Sequence, residues 1–107
     1  MPAASFHVVF TEPAETDLYD IEEYWRERGE PWRGEKYFSD LRHFATAELG
    51  NAETARRGRP HKSRRHRHAR SILAFGIYRV IYAIDEAAAR VDILRFWHAH
   101  RDAPPLE

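Results

Sequence analysis

The sequence predicts an α+β domain: one strand, a two-helix hairpin, then a three-stranded antiparallel meander. Three observations predict it. Apolar residues recur at helical spacing between residues 11 and 50, with helix-start and helix-stop residues at the expected places. Three runs in the second half are rich in β-branched and aromatic residues and are separated by short turn-forming segments. A lone pentapeptide of the same kind, FHVVF at 6–10, precedes the helices. That order packs the helices on one face of a mostly antiparallel sheet.

The first helix is announced by TEPAETDLYDIEEYWRERGE. Thr11 stands as N-cap, Pro13 follows, and Glu12, Glu15 and Asp17 put negative charge near the free amides of the first turns. Ala14, Leu18, Ile21 and Trp25 form one apolar stripe, and Gly29 stops it. A second helix follows Pro31, with Phe38, Leu41, Ala45 and Leu49 as its buried face and Gly50 as its stop. A short Gly-Glu-Pro link makes the two a helical hairpin. Residues 51–63 are the one long break, punctuated by Gly58 and Pro60.

Beyond it lie strands at roughly 64–74, 77–84 and 90–98, joined by Phe75-Gly76 and by DEAAA at 85–89. Strict alternation puts Ile77, Arg79, Ile81 and Ala83 on one face of the middle strand, and Tyr78, Val80, Tyr82 and Ile84 on the other. In the last strand, Val91, Ile93, Arg95 and Trp97 alternate with Asp92, Leu94, Phe96 and His98. Both faces are largely apolar. One packs on the helices; the other, unless something covers it, presents an apolar patch with arginines, the mark of a partner surface.

A chain of 107 residues is read as a single domain, 1–107, with one modest core. Hydrophobic content of 43% excludes a disordered chain. There are no cysteines, which excludes disulfides and thiolate metal sites and fits a reducing cytoplasm. No apolar run reaches the length of a membrane span. The N-terminus lacks the charged and apolar regions of a secretory signal. The 17 basic and 17 acidic residues balance but segregate. Residues 1–55 hold 12 acids against 5 Lys/Arg, and residues 56–107 hold 5 against 12. The second half therefore favours an anionic partner. Its densest stretch, RRGRPHKSRRHRHAR at 56–70, carries no acid and no aromatic residue. Any nucleic-acid contact there would go to backbone phosphate, not to stacked bases.

Taken in order, TEPAETDLYDIEEYW, GRP, RSILAFGIYRVIYAID and VDILRFWHAHRD resemble the landmarks of the ParE/RelE superfamily, the toxins of bacterial type II toxin-antitoxin pairs. The resemblance spans about residues 6–102 and is closer to the ParE side, chiefly through ILRFWHAHRD and the RSILAFGIYRVIYAID core. It implies the RelE/ParE-like fold and a cytoplasmic toxin held in a hetero-oligomer by a cognate, ParD-like antitoxin. It implies one of two activities: ParE-like poisoning of DNA gyrase by binding, or RelE-like, metal-independent cleavage of mRNA on the ribosome. A plain basic nucleic-acid-binding module is the third reading of the charge pattern. No membrane partner and no cofactor is expected.

Cleavage of RNA without a metal needs a base, an acid and cations around one phosphate. Arg79 matches the family's central-strand arginine, and Arg95 or Arg101 could supply a second cation. His98 has a side chain suited to proton transfer near neutrality. Ala99 stands where some nuclease members carry tyrosine. The catalytic candidates are therefore Arg79, Arg95, His98 and Arg101, and the target or phosphate contacts are Arg70, Arg79 and Arg101. Trp25 and Trp97 are the expected antitoxin contacts. Each has a plainer reading as well: Arg79 pairing with an acid such as Asp92, His98 a hydrogen-bonded strand-end residue, the tryptophans core. Histidine pairs at 66–68 and 98–100 would put imidazoles together on strand faces, but the surrounding arginines repel a divalent cation, so no metal is expected.

Overall fold

A computed structural model describes residues 2–62 and 65–100. Among these, β1 (His7–Phe10) leads into α1 (Glu12–Glu27) and α2 (Pro31–Leu49). A short α3 (Ala52–Arg56) and a two-residue β2 (Arg59–Pro60) follow, then β3 (Ala69–Ala74), β4 (Tyr78–Asp85) and β5 (Arg90–His98). The strands form one sheet in the order β1-β5-β4-β3-β2, with β1 parallel to β5 and every other pair antiparallel. The predicted meander is its centre. The sequence reading lacked the placement of β1 beside β5, the small β2 and α3.

Thr11 occupies the N-cap position but does not cap with its side chain. Its hydroxyl instead donates to the Ile93 carbonyl at 2.7 Å, which also accepts the Thr11 amide at 3.1 Å. The residue that starts α1 thus also ties β1 to β5. Gly29, at φ 75°, ends the helix as read from sequence. The hairpin closes tightly at Gly34, where a Cβ would sit 2.6 Å from the Glu22 carbonyl oxygen. Only glycine fits that crossing. Glu15 on α1 and Arg42 on α2 add a two-pronged ion pair at 2.8 and 2.9 Å.

Leu18, Leu41, Ala45 and Leu49 from the helices meet Val80, Tyr82, Val91 and Ile93 from the sheet, all fully buried. Each such leucine contributes about 1.5–3 kcal/mol by leaving water. On the opposite face Ile81 is wholly buried with Ala69 and Leu94, and the half-buried Ala83 and Trp97 pack on them. Leu73, paired with Arg79, stays exposed there, so part of the apolar patch expected on that face, with an arginine beside it, is open.

The strand boundaries differ from the reading in one important way. β3 starts at Ala69, and residues 65–68 before it are bend, loop and turn; position 64, where the strand was expected to begin, lies outside the described residues. With Gly58 and Pro60 breaking the chain and like charges in succession, nothing apolar anchors an earlier strand. Strict alternation also fails in β5. Ile81 pairs with Arg95 while its neighbour Tyr82 pairs with Ile93, so Leu94 is an extra, unpaired residue. This bulge reverses the faces downstream. Val91, Ile93 and then Phe96 and His98 turn toward the helices, whereas Arg95 and Trp97 join Asp92 on the other face.

The β3–β4 turn has positive φ at both central residues, 54° at Phe75 and 74° at Gly76. Three residues, Phe75, Gly76 and Ile77, link the paired Ala74 and Tyr78, one more than the two-residue turn read from sequence, and the centre takes the left-handed conformation. Glycine adopts it freely, but for Phe75 it is strained, and the ring is held by Phe44 at a centroid distance of 5.6 Å.

Candidate functional site

Among the described residues, no strand lies on the β1 side of β5 beyond Ile93, because β1 ends at Phe10. The last part of β5 and the flank of α1 bound a groove of about 530 Å³. Asp20, Glu23 and Glu27 form its acidic wall, and Ile21, Tyr24, Phe96 and Trp97 its apolar lining.

Asp17 closes the inner end. Its carboxylate accepts from Arg95 Nε at 2.7 Å, from Arg95 Nη2 at 2.9 Å and from the Phe96 amide at 3.0 Å. The side chain is 8% exposed and that of Arg95 18%. Asp17 therefore caps the first free amide of the strand edge and fixes the guanidinium, which lies 5.0 Å over the Trp97 ring. Hydrogen bonding to Asp17 raises the Arg95 pKa above its usual value against the opposing effect of burial. The sequence reading took Asp17 for a helix-start charge. The missed signal was its place in the buried stripe, three residues after Ala14 and one before Leu18. An acid on such a stripe needs a partner.

At the outer end an aromatic chain joins helix to strand. Trp25 Nε1 donates to the Tyr78 hydroxyl at 3.1 Å. Tyr37 and His98 each meet the Tyr78 ring edge-on, at 5.1 and 5.9 Å. The His100 amide donates to His98 Nδ1 at 3.2 Å. His98 is thus a half-buried strand-end histidine inside a ring cluster.

The remaining candidates lie elsewhere. Arg79 stands on the helix-free face, paired in register with Leu73 and Trp97, and donates to Ser71 Oγ at 3.1 Å. It does not pair with Asp92, which is opposite Ala83 and bound by Arg90 at 2.9 Å; the register puts the two residues too far along the strands. Arg70 donates to the Gly58 carbonyl at 2.8 Å. Beside it the buried Tyr82 hydroxyl donates to the Ala55 carbonyl at 2.6 Å, and a Cβ on Gly58 would lie 1.9 Å from that hydroxyl. Arg70 therefore anchors the loop after α3. Burial pushes the Tyr82 phenol up to about 12, with Arg70 and the Gly58 backbone opposing. Arg101 lies outside the described residues.

His98 and His100 do come together, their rings 5.4 Å apart. His66 and His68 occupy the loop and turn before β3, not a strand face. Among the described residues no three His, Cys, Asp or Glu are grouped to hold a metal ion. No helix among them is long and apolar enough to cross a membrane.

With the sheet order and the groove in place, the comparisons are decisive for the family. Residues 8–103 match the family described as ParE toxin of type II toxin-antitoxin system, parDE. The chain belongs to the ParE toxin family. Among solved structures it is similar to a chain of the RelBE2 toxin-antitoxin complex from Mycobacterium tuberculosis, at 29% identity and a TM-score of 0.64. That match covers 88% of this chain and 98% of the other. It is also similar to a chain of the chromosomal ParDE toxin-antitoxin system from P. aeruginosa, at 18% identity and a TM-score of 0.72. There it covers 90% of this chain and 98% of the other, and the likeness is one of fold. Comparison with curated proteins gives no match. As a ParE-family chain this is a toxin of a type II toxin-antitoxin system, with a cognate antitoxin as its partner.

Proposed function

We propose that this ParE-family toxin acts in the cytoplasm on DNA gyrase, by binding and without covalent chemistry of its own. The observation that supports this is the dispersal of the groups a ribonuclease would need. His98, the candidate base, turns toward the helices with Tyr78, while Arg79, the candidate cation, stands on the opposite face with Trp97. Arg95 is held by Asp17 and Arg70 by Gly58. Among the described residues, base and cations do not surround one phosphate. The antitoxin segment is proposed to lie in the groove between α1 and the end of β5, with basic residues facing Asp20, Glu23 and Glu27 and contacts to Trp97. Trp25 supports that groove indirectly through Tyr78.

The second reading, ribosome-dependent cleavage of mRNA, is favoured by the 29% identity to a chain of a RelBE2 complex. Purified toxin would be assayed for inhibition of gyrase supercoiling beside cleavage of message on ribosomes. Inhibition without cleavage is expected. Cleaved message with untouched supercoiling would overturn the proposal, and loss of that cleavage in His98→Ala would then assign the base.

A further inference from the structure

The far edge of the sheet has the opposite charge from the α1 groove. A groove of about 360 Å³ runs between α3 and β3, and Arg57, Arg59 and Arg79 surround its floor of Ser71 and Leu73. Strand β2 pairs only with Arg70 and Ser71, so β3 continues past it with no strand on that side. Little on this edge neutralises the cations. Arg57 meets only Glu53, its exposed neighbour one helical turn away, and such a surface pair is weak. Arg59 is exposed and has no acid partner among the described residues, and Arg79 hydrogen-bonds only a neutral hydroxyl. Lys62 and Arg67 are exposed and basic as well.

We propose that this β2 edge is a docking site for the phosphate backbone of duplex DNA, with Arg57, Arg59 and Arg79 as its phosphate contacts. No aromatic side chain lines the groove, so it offers nothing on which an unstacked base of a single strand would rest. Its lining joins Ile72 and Leu73 to Ser71 and three arginines, and cations spread over several elements suit the regular charge of a duplex. The acids of α1 keep phosphate away from the other groove. The two halves of the charge asymmetry then serve two partners at opposite parts of the sheet, and antitoxin and DNA can be bound together. The setting, a toxin acting on an enzyme that carries DNA, rests on the functional proposal above; the binding itself does not.

The test is fluorescence anisotropy of a labelled 20-base-pair duplex of arbitrary sequence with the full chain, alone and with its antitoxin, across a salt series. Three phosphate contacts give a slope of log K against log salt of about −3. Arg59→Ala and Arg79→Lys are the milder probes, and Arg59→Ala lowers the slope by about 1. Arg59→Glu, at an exposed position, abolishes binding while circular dichroism stays native. The site is overturned by duplex binding that Arg59→Glu leaves unchanged, by absence of salt-dependent binding, by tighter binding of the single strand, or by tighter binding of a polyglutamate peptide. Duplex binding as expected in a chain that neither inhibits gyrase nor cleaves message would overturn the toxin mechanism and leave this site standing.

Discussion

Removing the Asp17 carboxylate tests the account of Arg95 most directly. Asp17→Ala deletes three hydrogen bonds at once and leaves a guanidinium and the Phe96 amide in a site that is mostly closed to water. Breaking a buried ion pair by removing one partner costs about 3–5 kcal/mol. Arg95 keeps 18% side-chain exposure and its contact over Trp97, so the lower end applies, about 3 kcal/mol. For a domain of this size that lowers Tm by roughly 12–24 °C. It is a large share of the ~5–15 kcal/mol that a small domain has.

Urea unfolding of a double-mutant cycle separates the pair from its surroundings. Asp17→Leu with Arg95→Met replaces both charges by apolar side chains, and the double variant is expected to lose less than the sum of the single ones by at least about 1 kcal/mol. It should still bind antitoxin. A cost for Asp17→Ala below about 1 kcal/mol, or a coupling near zero, would refute the clamp. A well-folded double variant that had lost all toxicity would instead return Arg95 to the candidates for direct action on the target.

Four further outcomes follow from single contacts. Tyr82→Phe should cost about 1–2 kcal/mol, since the buried Ala55 carbonyl loses its donor. In the native chain the phenol's raised pKa makes its contribution fully present below pH 10 and lost as pH rises toward about 12. Stability should therefore fall by about 1.4 kcal/mol per pH unit across that window, and less so in Tyr82→Phe, as alkaline urea titrations would show. Gly58→Ala should cost about 1–3 kcal/mol by crowding the Tyr82 hydroxyl; adding Tyr82→Phe should restore part of it, and no restoration would place the clash elsewhere. Ala89 sits at φ 51°, so Ala89→Gly should raise stability by about 0.5–1 kcal/mol, read by thermal unfolding. Burial and then the nearby Arg79 lower the His61 pKa. Its contribution to stability is present above pH 6.5 and lost as pH falls, and Arg79→Ala should move its NMR titration upward.

The helices were legible because their signals are local. Ala14, Leu18, Leu41, Ala45 and Leu49 repeat at helical spacing and are buried as that spacing requires. The face of β4 holding Tyr78, Val80 and Tyr82 was legible for the same reason. What escaped was long-range. Thr11 caps by position, yet spends its hydroxyl on Ile93, 82 residues away. Gly34 gives no sign in sequence that another helix passes within van der Waals contact. The site suffered most, since a candidate cation is defined by what neutralises it, and the partners of Arg70, Arg79 and Arg95 are a carbonyl, a hydroxyl and a distant carboxylate.

The bulge at Leu94 explains why these errors are connected. Were Leu94 paired in turn like its neighbours, Arg95 would share a face with Ile93, inside the core beneath α1, and Phe96 would point away from it. The insertion puts Phe96 into the core at 2% exposure and carries the Arg95 backbone to the other face. From there the guanidinium can reach Asp17 around the strand edge, where that carboxylate also takes the Phe96 amide. One unpaired residue thus sets the face of Trp97 and His98, the end of the free edge and the wall of the α1 groove. Deleting Leu94 should therefore regularise the strand and not reverse it. Arg95 would follow Ile93 directly, the pairs Tyr82–Ile93 and Ile81–Arg95 would stand, and Arg95 and Phe96 would keep their faces. The deleted chain should fold and bind antitoxin, losing only the burial of Leu94 beside Ala69 and Ile81, about 1.5–3 kcal/mol. A Leu94-deleted chain that failed to fold or to bind antitoxin would show that the extra residue does more than set the faces.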